Sequence, residues 1–144
     1  MIGINNKDIE SIQLLSVEEA RNLPQWIRAS GYWWWLQSPG DDSGLVAYVY
    51  DDGSVEDYGS DIDDSSGVVR PVLKIRNLDS QNLEIGETIK ILGLLTQYIG
   101  HNSVLLCERI AYHRFDSVSN DYKTSEIKQF IKEWLEERKR ENNV

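Results

Sequence analysis

The chain has 144 residues, enough for one domain; roughly 68–70% of the unfolded surface of such a chain is buried on folding. Hydrophobic residues make up 40% and charged residues 27%, which excludes wholesale disorder. Fifteen Lys and Arg against 24 Asp and Glu give a net charge of −9, and phosphate repulsion opposes a nucleic-acid partner. No apolar run approaches the roughly 20 residues of a membrane span, and the N-terminal stretch lacks a signal-peptide apolar region. The expected setting is the cytoplasm, with no membrane partner.

In chain order, Gln13-Leu14-Leu15 reads as a short strand. Ser16 caps a helix, and Glu19 completes a capping box. Pro24 breaks that helix, and Trp26 and Ile27 form a second short turn. Tyr32 to Leu36 is an aromatic strand, followed by a turn at Ser38-Pro39-Gly40. Leu45–Tyr50 and Val55–Tyr58 form a hairpin around Asp52-Gly53. Asp61 to Gly67 is a polar loop. Val68 to Ile75 reads as one long strand, with Pro71 at an edge or bulge. Residues 77–82 form a connector. Thr88–Leu95 and Val104–Ile110 read as a hairpin across Gly100-His101-Asn102. Ile127, Phe130, Ile131, Trp134 and Leu135 form the stripe of an amphipathic helix, capped by Ser125 or Thr124 and ending in Arg138-Lys139-Arg140.

Short strands with two segregated helical segments define an α+β domain over residues 1–144. Its front portion is 1–76, its connector 77–82 and its back portion 83–144. Acidic charge is concentrated: Asp41, Asp42, Asp51, Asp52, Glu56, Asp57, Asp61, Asp63 and Asp64 lie in a stretch with no Lys or Arg.

Three stretches carry a resemblance: Leu14-Leu15-Ser16-Val17-Glu18-Glu19-Ala20, Tyr32-Trp33-Trp34-Trp35-Leu36-Gln37-Ser38-Pro39-Gly40, and Gly67-Val68-Val69-Arg70-Pro71-Val72-Leu73. Asp52-Gly53-Ser54-Val55 lies between the last two. Together they resemble an uncharacterised bacterial and phage domain family with Tyr-Trp-Trp-Leu-Arg-Ser-Pro-Gly and Gly-Val-Arg-Pro-Ala-Leu motifs. That family is similar to the C-type-lectin-like and formylglycine-generating-enzyme fold, with a mixed or antiparallel sheet. Ile85 to Ile91, the Leu105-Leu106 strand and Asn120 to Ile127 resemble what usually opens such a domain. Here they come last. Circular permutation, half-exchange with a second chain to give a homodimer, and a cut from a tandem array each account for that order. Gln37 replaces the family's Arg, and Val69 lengthens the Arg-Pro motif by one residue. The resemblance assigns no catalytic residue. A single cysteine, Cys107, argues against formylglycine-generating chemistry, which uses a cysteine pair, and forms neither a disulfide nor a cysteine zinc site.

Strand alternation puts Trp34, with Tyr32 and Leu36, on one face and Trp33 with Trp35 on the other. One set belongs to the core. The other either packs internally or offers a stacking platform, and Trp33, Trp35, Asp57 and Tyr58 are the candidate ligand contacts. Asp61, Asp63 and Asp64 are candidate ligands for calcium, although their spacing departs from the EF-hand pattern; otherwise they are solvated loop residues and no cofactor is expected. Arg70, in a partly buried strand, is expected to be structural, paired with an acid from the Asp-rich loops. His101 and His113 have no partner at diagnostic spacing.

The expectation is a noncatalytic module that binds an unidentified protein or small molecule through loops near Asp41–Gly44 and Asp57–Gly67. The alternatives are a phage-related structural or assembly subunit, and an enzyme using paired carboxylates such as Asp61 and Asp63.

Overall fold

A computed structural model describes residues 4–142; residues 1–3 and 143–144, which the sequence reading includes in the domain, lie outside the described residues. The architecture is α+β, with two five-stranded sheets and three α-helices among the described residues. The first sheet runs β1 (Ile9–Gln13), β6 (Val72–Ile75), β9 (Ser103–Leu106), β8 (Leu94–Gly100), β7 (Thr88–Ile91), antiparallel throughout. The second runs β10 (Ala111–Tyr112), β5 (Val68–Val69), β2 (Trp34–Pro39), β3 (Leu45–Val49), β4 (Val55–Asp61). It is mixed, because β2 and β5 pair in parallel.

Local chemistry sets the helix boundaries. Ser16 accepts from the Glu19 backbone N–H at 3.1 Å, and Glu19 Oε1 accepts from Ser16 N–H at 2.9 Å. This reciprocal box opens α1 (Val17–Arg21). Pro24 starts α2 (Gln25–Arg28), a separate turn. Ser125 caps α3 (Glu126–Glu141), whose last turn carries Arg138, Lys139 and Arg140.

The first strand lies earlier than expected. β1 ends at Gln13, and Leu14 turns its polar groups sideways: its N–H donates to the Tyr122 hydroxyl and its carbonyl accepts from Gln37 Nε2. The expected hairpin over 88–110 is a three-stranded meander. Leu92, at φ 53°, and Gly93, at φ 77°, make an extra tight turn that apolar patterning conceals.

The expected long strand from Val68 to Ile75 is two strands in two sheets. β5 belongs to the second sheet and β6 to the first, with Arg70-Pro71 between them. Pro71 lacks an N–H for either ladder, so the chain changes partners there.

Three apolar clusters fill the interior, and each joins the front and back portions. Ile9, Leu73 and Ile75 meet Ile89, Val104 and Leu135, with Trp134 against them. Trp34, Leu36 and Val49 meet Leu105 beneath α1 and α2. Trp35, Val46 and Val69 meet Phe115, Ile127 and Ile131, with Phe130 against them. Burying each such aliphatic or aromatic side chain stabilises the fold by about 1.5–3 kcal/mol. The tryptophan alternation is as expected, and both faces of β2 are covered by helices.

Candidate functional site

Trp35 is fully buried, and its Nε1 donates to the His113 carbonyl at 2.9 Å. It therefore offers no face to a ligand, which corrects its assignment as a contact residue. Trp33 is half-buried, with its ring edge-on to Trp35 at 4.9 Å and to Tyr48 at 5.2 Å. Tyr58 is exposed and shares a 3.1 Å hydroxyl–hydroxyl hydrogen bond with Tyr48. Burial and that hydroxyl push the Tyr48 phenol well above its ordinary pKa. Asp57 makes an exposed 2.9 Å ion pair with Arg21 on α1, and as successive residues of β4 Asp57 and Tyr58 point to opposite faces of the sheet.

Much of the acidic stretch has a local explanation. Asp42 Oδ1 accepts from Gly44 N–H, Asp52 Oδ1 from Ser54 N–H, and Asp64 Oδ1 from Ser66 N–H, each at 2.9 Å. These are Asx turns, in which a carboxylate replaces a backbone acceptor. Asp61 and Asp63 are exposed and flank the buried Ile62. Among the described residues, no group of three or more His, Cys, Asp or Glu is placed to hold a metal ion.

Arg70 is only 2% exposed. Its Nε donates to the Leu106 carbonyl at 2.7 Å and its Nη1 to the Ile27 carbonyl at 2.9 Å. The guanidinium lies 5.0 Å from the Trp34 ring centroid. The expected acidic partner is not there: among the described residues, Arg70 is in no ion pair. The Ile27 carbonyl lies in the last turn of α2, where it has no helix partner, and the Leu106 carbonyl lies at the end of β9. Arg70 thus ties α2 to β9 across the point where the chain changes sheets.

A cleft lies apart from the candidate site residues singled out in the sequence. About 300 Å³ of space lies between α1 and the turn joining β8 to β9. Leu15, Leu23, Val72, Ile85 and Ile99 supply its apolar walls. Glu19, Asn22, His101 and Ser103 supply its polar groups. A shallower hollow of about 150 Å³ continues past His101 towards Gln13 and Lys74.

Each wall is fixed by identifiable contacts. His101 (φ 53°) and Asn102 (φ 57°) form the β8–β9 turn in the left-handed region, which Asn and His tolerate better than most residues. Asp79 clamps that turn: its N–H donates to Asn102 Oδ1 at 2.7 Å, and its Oδ1 accepts from Asn102 N–H at 2.8 Å. The Tyr98 hydroxyl donates to the same Asp79 oxygen at 2.6 Å. This bond lowers the Asp79 pKa and helps to push the Tyr98 phenol up to about 12. On the opposite side, Glu19 uses Oε1 in the capping box.

Trp26, 61% exposed, does not line this cleft but meets Gly86, the chain neighbour of the lining residue Ile85. Its ring packs on Gly86, where an added Cβ would come within 2.1 Å of it. Gly86 adjoins Ile85 and has φ 91°, a conformation that strains any residue with a side chain. An indole left in solvent on a glycine, next to a half-apolar cleft, is a natural stacking surface. Trp26 carried no signal of this in the sequence, where it reads only as part of a short turn. The pattern Ile85-Gly86 was the available clue, since a glycine can admit a ring against the backbone.

Comparisons with family models, with curated proteins and with solved structures gave no match to the chain.

Proposed function

We propose that the chain is a noncatalytic binding module, and that the cleft beside Trp26 takes a small ligand with a planar apolar body and an amine or other donor. The carrying observation is the convergence of five apolar side chains with Glu19, His101 and Ser103 next to an exposed indole. Small-molecule sites have this character: apolar walls with few orienting polar groups, in volumes from roughly 300 Å³ upward. The apolar wall and Trp26 bind the ring, and the Glu19 carboxylate faces the donor. The sequence resemblance to C-type-lectin-like domains supports a binding role by analogy of fold alone.

Benzylamine and tyramine are suitable probes, with benzoate as the charge-reversed control. Titration followed by tryptophan fluorescence and by shifts of the cleft amides in nuclear magnetic resonance should show binding of the amines and not of benzoate. Trp26→Ala should remove the fluorescence response at an unchanged melting temperature. Glu19→Gln keeps a capping box, because Gln also serves there, while removing the charge. It should weaken amine binding roughly tenfold, the equivalent of one charged contact. Equal binding by both variants would refute the assignment of the site.

A further inference from the structure

We infer that the groove between β1 and α3 receives an extended acidic peptide segment, laid along the outer edge of the first sheet. This surface is separate from the Trp26 cleft and does not depend on its ligand.

β1 closes one side of its sheet and, among the described residues, pairs only with β6. Such an edge is a template for a further strand unless something covers it. Beside it runs a groove of about 430 Å³, lined by residues of β1 and by Lys128, Lys132 and Lys139 of α3. Lys128 and Lys132 are one helical turn apart and share a face. Leu135 and Ile12 give the groove an apolar element; Leu135 is buried and Ile12 half-buried. Lys139 Nζ donates to the Ile9 carbonyl at 3.2 Å, which satisfies one end of the edge.

Charge and spacing together select the occupant. Lys128, Lys132 and Lys139 outnumber Glu10 and Glu136 in this groove, a basic balance in a chain whose net charge is −9. Four residues of helix advance about 6 Å, and alternate residues of a strand advance about 6.7 Å. An extended segment with acids at alternate positions therefore meets Lys128 and Lys132 in step. Its intervening side chains can lie towards Ile12 and Leu135. A nucleic acid fits less well, because its phosphates meet Glu10 and Glu136 as well as the lysines, whereas a peptide can carry its acids opposite Lys128 and Lys132 and neutral residues opposite the two glutamates.

The experiment uses the whole chain and a fluorescein-labelled peptide of about eight residues alternating Glu and Val, with a Lys–Val peptide as control. Fluorescence anisotropy should report binding of the acidic peptide alone, weakened by salt. Lys128→Glu with Lys132→Glu should reduce that affinity tenfold or more, the pairs being reversed as well as lost, at an unchanged melting temperature. Amide hydrogen exchange should slow in β1 when the peptide is bound. Failure of the acidic peptide to bind, equal binding by the charge-reversed variant, or unprotected β1 amides would overturn the proposal. Tighter binding of a duplex RNA than of the peptide would also overturn it, as would a dimer dispersed by the lysine reversal. That last result would make a second copy, presenting its Asp41–Asp64 stretch, the occupant.

Discussion

Arg70 and Asp116 illustrate how single polar groups hold this molecule together. A buried guanidinium among carbonyls has no water to replace it, so removing it strands acceptors at the end of α2 and in β9. Arg70→Ala should cost roughly 3 kcal/mol in urea denaturation. Arg70→Lys should recover only part of this, because an ammonium cannot fork between Leu106 and Ile27. Asp116 is a case of opposed forces. Burial by itself raises its pKa, but the backbone N–H groups of Ser119, Val118 and Glu126 outweigh burial and leave it below the ordinary value. A lowered carboxylate pKa contributes stability that is complete above the unfolded value, near 4, and is lost as pH falls through the folded value. Asp116→Asn should therefore cost about 1–2 kcal/mol at pH 7, and the gap from the natural chain should narrow as denaturation is repeated towards pH 2.5. Arg70 was legible as a buried structural residue, because charge between valines before a proline demands a partner. Its partner was not legible, since a sequence shows acids but not which carbonyls a helix end leaves unpaired.

Among the elements, α3 was the most legible, with its 3.6-residue apolar period, its serine cap and its basic last turn. The Ser16–Glu19 box and the Asp52-Gly53 hairpin were equally plain, because a few adjacent side chains determine each. The β7–β8 turn was hidden because Leu92 adopts a left-handed backbone in the middle of an apolar run. The cleft was hidden because its walls come from α1, the 83–86 loop and the β8–β9 turn, which only long-range packing brings together. Two glycines test this level. An alanine at Gly67 would place its Cβ 2.0 Å from Trp35 Nε1, inside a ring that cannot move. Gly67→Ala should destabilise by roughly 2 kcal/mol, read as a shift in denaturation midpoint at constant slope. Gly86→Ala meets Trp26, which is free to swing into solvent. That variant should lose the fluorescence response to benzylamine, and the positive φ of 91° should still cost it about 1 kcal/mol of stability, less than Gly67→Ala.

At the scale of the whole molecule, the three apolar clusters each draw on residues before and after the 77–82 connector. Neither portion encloses an interior by itself. Tryptophan fluorescence, which reports mainly on the second sheet, and far-ultraviolet circular dichroism should therefore give coincident unfolding curves. Separated transitions would mean that the two portions fold independently. The α+β class was legible because strand and helix patterns are segregated along the chain. The division into two sheets was not, because β5 and β6 are contiguous in apolar pattern and part company only at Pro71. That parting has a mechanical corollary. The same short run of backbone is stitched into both sheets, with the fixed φ of a proline at the crossing and the Arg70 fork braced beside it, so a change in the angle between the sheets would strain both. Val72, the first residue after the crossing, is also a wall of the cleft, so that wall is carried by the segment that joins the two sheets.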